Sequence, residues 1–312
     1  MGTALANPAS GPGVPLETAQ TFTPLGLRFW DLTQNLPITD GLAVSLRLAG
    51  TSTPPLTAML TRSGVYGFFG LPGLYAAEHP GGANSNPPAQ TFSYVVMVQD
   101  LLDRYLPAVL VFTLDQTGAV LVQGVPQPPS GPRLVYLFSS VSRTVPSGVS
   151  ALYADLLDRD TNQPAAWAVV QAQIAGESEV WTGIADGNGR AVVLTPYPVV
   201  QRLVLGSPPG SGQGNIAGQS WSVTVTAQYS PDGLTYPAAA FQDAQWPWTD
   251  TPNLKDILTG QAAATLWPDA ASPQSQLAET LVLGQNLVLS SSAGSPPSPT
   301  WTLSISRGSS PP

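Results

Sequence analysis

The sequence predicts an all-β protein: two immunoglobulin-like β-sandwich domains, followed by a C-terminal β-rich extension that contains one short helix. Short segments such as Leu42–Leu48 alternate apolar with small or polar residues, which is the period of a half-buried strand. The chain has 30 glycines and 33 prolines in 312 residues, and they separate the alternating segments at intervals typical of sandwich folds. Apolar residues make up 43% of the chain, enough to fill ordinary cores.

The first domain is predicted over residues 22–124, after an N-terminal segment without periodicity. Residues 1–21 are rich in Gly, Pro, Ala and Ser and carry a single charge, so we expect a flexible arm. About seven short strands then follow over roughly 95 residues, a number typical of an immunoglobulin-like sandwich. The two strongest, Phe92–Val98 and Tyr105–Leu114, are joined by a polar bend and form a predicted hairpin.

A proline-rich linker, residues 125–132, separates the two predicted domains. Its sequence, Val-Pro-Gln-Pro-Pro-Ser-Gly-Pro, is stiff because proline restricts φ and disfavours helix. The second domain is predicted over residues 133–205 and begins with the strand Leu134–Phe138. Within it, Asp186-Gly-Asn-Gly predicts a hairpin turn, because Gly and Asn tolerate the positive φ of a tight turn.

Residues 206–312 are the predicted C-terminal extension, which we expect to dock on the second domain. Alternating segments predict several strands, of which Ser220–Tyr229 is the strongest. The short helix is predicted at Asn253–Leu258, with Thr251 as its cap and Gly260 as its stop. The strands are too few for a third sandwich.

An internal repeat relates the two predicted domains. Pro37 precedes Gly64 by 27 residues, Pro164 precedes Gly189 by 25 residues, and each pair brackets an apolar strand. Both copies follow the order Asp, five residues, Pro, strand, turn glycine, strand and a proline-containing exit. The repeat predicts the same local structure in both domains.

The low charge of the chain narrows the choice of partners. There are 11 Lys and Arg against 19 Asp and Glu, a net charge of −8, and charged residues are only 10% of the total. This argues against nucleic acid and anionic membranes, which both require a cationic surface. So few charges indicate either a surface covered by other protein subunits, including further copies of this chain, or a compositional bias of the source organism.

No segment has the pattern of a signal peptide or of a membrane-spanning helix. The N-terminus lacks a basic region and a continuous apolar core, and no run approaches 18 apolar residues. We therefore expect no direct membrane insertion, and a cytoplasmic location as part of an assembled particle. The absence of cysteine excludes disulfides, thiolate catalysis and cysteine-based metal sites.

Candidate catalytic and metal-binding motifs are few. His79 is the only histidine, and no Gly-x-Ser-x-Gly motif is present to pair with it. Asp158-x-Asp-x-Asn and Asp186-x-Asn have the oxygen spacing of calcium ligands but lack the other ligands of an EF-hand loop. Turn formation explains both motifs with fewer assumptions, because Asp and Asn bond their own backbone in turns.

Two pairs of acidic residues have the composition of a glycosidase acid/base pair. They are Glu177 with Glu179 and Asp100 with Asp103, and both pairs lie in bends between predicted strands. This position favours solvated carboxylates. We therefore predict no catalytic residue, no cofactor and no metal.

Aromatic residues are the remaining candidates for a functional surface. Tryptophans in β sandwiches pack in cores and between domains, form hot spots at protein interfaces or form platforms for sugars. The sequence leaves these three roles open. Four aromatic residues are predicted to lie at an interface: Tyr197, Trp246, Trp248 and Trp267.

The order of the repeat resembles the carboxypeptidase regulatory-like (transthyretin-like) β-sandwich module, at Asp31–Tyr75 and less closely at Asp158–Pro198. Several motifs, among them Ser63-Gly-Val-Tyr-Gly-Phe and Ala185-Asp-Gly-Asn-Gly-Arg, are similar to those of proteins encoded in bacterial contractile injection system clusters. This resemblance covers most of residues 22–305. It implies a structural part of the particle, in or around the baseplate, and no catalytic residues. The zinc-binding His and Glu positions of the peptidases are missing, so it implies no peptidase activity.

The leading functional hypothesis is therefore a non-enzymatic structural subunit that bridges other subunits of a contractile, phage-tail-like particle. The alternative is a carbohydrate- or surface-binding, adhesin-like module that uses exposed tryptophans.

Overall fold

The computed structural model describes residues 23–78, 90–122, 125–127, 131–198, 219–241, 249–293, 298–299 and 302–308. Regular structure is nearly all β, with 49% strand against 7% helix, in several antiparallel sheets. The prediction of an all-β sandwich fold is confirmed. The predicted arm at residues 1–21 lies outside the described residues.

The first sandwich has two sheets. Its strands are β1 (Leu25–Asp31), β2 (Leu36–Pro37), β3 (Leu42–Leu48), β4 (Leu56–Thr57), β5 (Met59–Leu60), β6 (Tyr66–Phe68), β7 (Thr91–Asp100), β8 (Ala108–Asp115), β9 (Val120–Val122), β10 (Val125–Gln127) and β11 (Arg133–Leu137). One sheet has the order β11-β1-β6-β5, with β2 also paired to β1, and the other has the order β10-β9-β8-β7-β3-β4. The one-turn helix α1 (Tyr75–Glu78) lies between β6 and β7.

The second sandwich repeats this two-sheet plan. Its strands are β12 (Val149–Asp158), β13 (Gln163–Pro164), β14 (Val169–Ile174), β15 (Val180–Ile184), β16 (Arg190–Pro196), β17 (Ser220–Gln228), β18 (Thr265–Trp267), β19 (Leu277–Val282), β20 (Leu287–Leu289), β21 (Ser292–Ala293), β22 (Ser298–Pro299) and β23 (Thr302–Ser306). One sheet has the order β13-β12-β23-β18, with β16 and β20 also paired to β12. The other has the order β15-β14-β17-β19, and β21 pairs with β22.

The internal repeat predicted from the sequence has the same local geometry in both sandwiches. Asp31 ends β1 and Asp158 ends β12, and each carboxylate accepts a hydrogen bond from a backbone N–H two residues later. Four residues after each aspartate, Asn35 and Asn162 adopt positive φ values of 53° and 56°. Asparagine tolerates this conformation better than most residues, so both turns depend on the same two residue types.

The pairing of the first strand is also repeated. β1 pairs antiparallel with β6 and parallel with β11, whereas β12 pairs antiparallel with β16 and parallel with β23. A tyrosine hydroxyl contacts the aspartate in each copy: Tyr105 bonds Asp31 over 2.7 Å, and Tyr229 bonds Asp158 over 3.4 Å. The two sandwiches are therefore copies of one structural unit.

The structure assigns two segments near the predicted linker differently from the sequence analysis. Val125–Gln127, expected to be linker, forms β10 and pairs with β9. Arg133–Leu137, expected to open the second domain, forms β11 and pairs in parallel with β1 of the first sandwich. The physical reason is burial, because β11 places Val135 and Leu137 in the first core.

The C-terminal part supplies strands to both sheets of the second sandwich. β17 and β19 extend the sheet of β14, while β18, β20 and β23 belong to the sheet of β12. Residues 238–241, between β17 and β18, instead pack on the first sandwich. There Ala238 and Phe241 bury against Val95, Met97 and Val109. The predicted extension therefore contacts both sandwiches.

The predicted short helix is α2 (Leu254–Thr259), and it ends at the predicted Gly260. Its N-terminal cap is Asn253, whose side chain accepts a hydrogen bond from the N–H of Lys255 over 3.3 Å. The prediction of Thr251 as the cap was wrong. A cap side chain must reach the first turn, and Thr251 lies two residues too early.

Candidate functional site at the junction of the sandwiches

An apolar contact, here called the junction core, joins the two sandwiches. Trp167 and Ile184 of the second sandwich are buried in the same cluster as the core residues of the first sandwich. Helix α2 contributes Leu254 and Ile257 to this cluster. Because these side chains are removed from water only when both sandwiches are in place, the junction core favours one fixed arrangement.

A buried ion pair ties the chain between the two sandwiches to the first sandwich. Asp31 pairs with Arg143, which lies between β11 and β12, and the two side chains are only 3% and 6% exposed. The Asp31 carboxylate also accepts hydrogen bonds from Tyr105 and from the backbone N–H groups of Thr33 and Gln34. Burial alone raises the pKa of Asp31, but the hydrogen bonds from Arg143 and Tyr105 outweigh it and the pKa is lowered. The carboxylate therefore stays ionised at neutral pH.

Beside this ion pair lies a cleft of about 610 Å³ between the two sandwiches, here called the junction cleft. The turn that follows Asp31 forms one wall, through Leu32, Thr33 and Asn35. The second sandwich forms the other wall, from the end of β14 to the start of β15 and from residues 196–198. Its volume is in the range of small-ligand sites, about 300–1,000 Å³.

Two aromatic rings, Trp181 and Tyr197, line the cleft. Both are half-buried and pack against the core of the second sandwich. The Tyr197 hydroxyl accepts a hydrogen bond from the N–H of Gly284 over 2.9 Å, and its ring lies 5.7 Å from that of Trp221. These contacts hold the tyrosine ring in place, so the aromatic wall is already formed without a ligand.

The charges of the cleft have one sign. Glu177 and Glu179 line it, both are exposed, and neither forms an ion pair with another described residue. Among the described residues that line the cleft, none carries a positive charge. The described lining therefore contributes a negative electrostatic potential to the cleft.

The structure describes two of the four aromatic residues predicted to lie at an interface, and these two have different surroundings. Tyr197 lines the junction cleft, as described above. Trp267 lies in β18, where its Nε1 donates to Ser306 over 2.9 Å and its ring stacks on the Arg159 guanidinium at 3.6 Å. Trp246 and Trp248 lie outside the described residues.

Trp181 and its two acidic neighbours, which line the cleft, were not among the predicted interface residues. A signal is present in the sequence, because Glu177-Ser-Glu-Val-Trp181 places two carboxylates and a large ring within five residues. The glutamates were expected to be solvated, and the structure agrees in leaving both exposed. For Asp100 the same expectation was wrong. Its carboxylate is buried, where it accepts hydrogen bonds from Arg104 and from the backbone of the bend.

The calcium-like motifs form turns. The Asp186 carboxylate accepts hydrogen bonds from the backbone N–H groups of Asn188 and Arg190, and it pairs with the Arg190 guanidinium at 3.0 Å. The Asp158 carboxylate accepts hydrogen bonds from the backbone N–H of Asp160 in its own turn and from the Tyr229 hydroxyl. Within the described part of the chain, no group of three or more His, Asp or Glu side chains is arranged to hold a metal ion. His79 lies outside that part.

A second surface, here called the outer β1 face, begins beside the cleft. It consists of the outward side chains of β1, β5 and β11. Trp30 is the cross-strand neighbour of Tyr136, and its Nε1 donates to Asn35 of the cleft over 3.1 Å. Met59, Leu134 and Tyr136 are exposed by 64%, 49% and 41%. The outer β1 face also carries Arg28, the cross-strand neighbour of Leu134. It is thus largely apolar around one arginine, and Trp30 connects it to the cleft.

None of the helices in the described ranges is long and apolar enough to cross a lipid bilayer. Comparison with known sequences gives no family: no family model matches the chain, and no curated protein matches it.

Some solved structures are distantly similar to the chain. One is the Bacillus anthracis TIE protein, with 13% identity, coverage of 67% of this chain and 29% of that chain, and a TM-score of 0.20. Another is the minor pilin GBS52 of Streptococcus agalactiae, with 8% identity, coverage of 92% and 98%, and a TM-score of 0.22. A third is the pilus adhesin SpaC of Lactobacillus rhamnosus GG, with 12% identity, coverage of 91% and 31%, and a TM-score of 0.20.

The chain spans less than a third of the length of the TIE and SpaC chains. A minor pilin and a pilus adhesin are among these structures. TM-scores near 0.2 do not establish a shared arrangement of domains, so these proteins carry no argument about the function of the junction.

Proposed function

We propose that this chain is a non-enzymatic structural subunit that joins other protein subunits in a large assembly. The observation that carries the proposal is the outer β1 face, an exposed and largely apolar surface with one arginine, Arg28, on a unit whose two sandwiches share a core. Grouped apolar side chains on one sheet face are typical of protein contacts. The low content of charged residues, 10%, supports the same function, because interface centres are depleted in charge.

The assembly to which the sequence motifs point is a contractile, phage-tail-like injection particle. The motifs Ser63-Gly-Val-Tyr-Gly-Phe and Ala185-Asp-Gly-Asn-Gly-Arg support this setting through their resemblance to proteins of such clusters. In this proposal the subunit bridges neighbours in or around the baseplate. It lies in the cytoplasm as part of the assembled particle, and contacts neither nucleic acid nor the membrane interior.

Co-purification with the particle tests the proposal. A tagged chain is expressed with the rest of its gene cluster, and particles are isolated by sedimentation. We expect the chain in the particle fraction, and we expect the double variant Leu134→Ser with Tyr136→Ser to be lost from it. Val122→Ser, at a residue 50% exposed in the opposite sheet, is the matched control and should stay. A particle that assembles and functions without the chain contradicts the proposal.

An adhesin-like role that binds surface glycans is a second candidate. The observation that favours it is the aromatic wall of the junction cleft, formed by Trp181 and Tyr197. The expected result on a glycan array is binding that Trp181→Ala abolishes. If the chain binds no glycan on the array, the adhesin-like role is contradicted.

A further inference from the structure

We infer that the junction cleft binds a positively charged side chain, arginine or lysine, on an extended segment of a partner protein. This inference rests on the proposed function, because it names the chemistry of one contact that a bridging subunit makes. The cleft combines two carboxylates that pair with no described cation, two aromatic rings and an apolar wall, and each part fits a different portion of such a ligand.

The carboxylates fit the charged end of the side chain. Glu177 and Glu179 are both exposed at the mouth of the cleft and have no cationic neighbour among its described lining residues. A guanidinium or ammonium group complements this negative potential, and a guanidinium can bond a carboxylate through two parallel N–H groups. An anionic ligand is repelled for the same reason.

The aromatic rings add a second attraction for a cation. Trp181 and Tyr197 present π-systems, which attract a cation placed over their faces. Tyr197 is held by Gly284 and Trp221, so little side-chain entropy is lost when a ligand binds. A neutral sugar uses the rings but leaves the two carboxylates without a cation.

The rest of the cleft fits the stem and the backbone of the partner. Pro196, Pro198 and Leu32 form an apolar wall against which the methylene stem of arginine or lysine can pack. β15 lies at the edge of its sheet, and its first residue, Val180, is 48% exposed and lines the cleft. Gly183, further along β15, lies against the Val192 backbone of β16. An extended segment can therefore add backbone hydrogen bonds at the start of this edge, beside Val180.

Calorimetric titration of the full chain tests the inference. The probe is the blocked peptide acetyl-Ala-Val-Arg-Val-Ala-amide, and the comparison ligands are its neutral citrulline analogue and a cello-oligosaccharide. We expect the arginine peptide to bind measurably, with an affinity about tenfold above that of the citrulline peptide and falling as salt is added.

Two double variants distinguish an effect of the cleft carboxylates from an effect of the protein's net charge. Glu177→Gln with Glu179→Gln should weaken binding of the arginine peptide about tenfold, because two charge pairs are lost. Asp155→Asn with Asp160→Asn makes the same change in net charge on exposed residues of β12 and its following turn, and should leave binding unchanged. Thermal melting of each variant checks that it is folded.

Three results overturn the inference: no binding of the arginine peptide, equal weakening in both double variants, or binding of the oligosaccharide alone. The last result favours the glycan-binding role instead. These measurements use the isolated chain and do not depend on the particle. A chain that co-purifies with the particle but ignores the peptide therefore refutes this inference and leaves the proposed function intact.

Discussion

Replacing Arg143 by methionine removes one partner of the buried ion pair at the junction. Methionine keeps much of the apolar stem of arginine, so the change acts mainly on the charge. Removing one partner of a buried pair costs about 3–5 kcal/mol, because the other charge is left buried. Asp31 keeps its hydrogen bonds from Tyr105 and from two backbone N–H groups. We therefore expect the free energy of unfolding to fall by an amount near the lower end of this range, about 3 kcal/mol.

The loss of unfolding free energy in Arg143→Met should also depend on pH. The lowered pKa of Asp31 in the folded state means that its ionised form stabilises the protein above about pH 4, its unfolded value. That stabilisation disappears as the pH falls through the folded pKa. Burial raises the pKa of Asp31, and without Arg143 fewer hydrogen bonds and charges oppose this effect. The Asp31 carboxyl is then protonated more readily. The difference between Arg143→Met and the parent chain should therefore be larger at pH 7 than at pH 3.

Urea unfolding followed by tryptophan fluorescence measures both effects. The matched control is Arg190→Met, which removes an ion pair whose arginine is 51% exposed and should cost at most about 1 kcal/mol. Equal losses in the two variants, or a loss for Arg143→Met that is the same at pH 7 and pH 3, would refute the reasoning. The double variant Asp31→Asn with Arg143→Met should recover part of the loss, because no charge stays buried.

Two further predictions concern the second sandwich. Burial raises the pKa of Glu279, which disfavours its charged form in the fold. Glu279→Gln should therefore unfold at higher urea than the parent at pH 7 but not at pH 3, and equal midpoints at pH 7 would contradict this. Gly189→Ala should cost more than about 2 kcal/mol in thermal unfolding, because φ is +77° and the added Cβ would lie 2.5 Å from the Leu156 carbonyl oxygen. Gly148→Ala, at φ +78° with open space around it, should cost about 1 kcal/mol, and similar losses at both glycines would contradict the prediction.

Features that depend on neighbouring residues were predictable from the sequence. The aspartate turns of the repeat occur at the expected positions, since Asp31 and Asp158 bond the backbone immediately after them. The hairpin at Asp186 is present for the same reason. The helix stop at Gly260 was also predicted correctly, whereas the cap was misplaced by two residues.

Features that depend on distant residues were not predictable. Arg133–Leu137 looks like any other alternating strand, and its parallel pairing with β1 joins residues about a hundred positions apart. Asp100 lies in a bend that resembles a solvated loop, yet Arg104 and the backbone of the bend enclose it. For Arg133–Leu137, pairing with a remote strand outweighed the local pattern. The Asp100 bend instead folds back on its own carboxylate, which the composition of the bend does not reveal.

The candidate site also combines a residue that the sequence suggested with an arrangement that it did not reveal. Tyr197 was predicted to lie at an interface, and in the structure it lines the junction cleft. The cleft itself needs the turn after Asp31, the start of β15 and residues 196–198 to meet. No local pattern encodes that meeting, because the junction core and the Asp31–Arg143 pair produce it.

The sequence alone was sufficient for the all-β class, the repeat, its turns and the low charge that argues against nucleic-acid partners, because each follows from composition or from contacts within a few residues. The tertiary structure decided where each sandwich ends, which strands pair, and that two carboxylates and two rings face one cleft. Those features come from burying apolar surface between distant segments, and such burial is set by the whole fold.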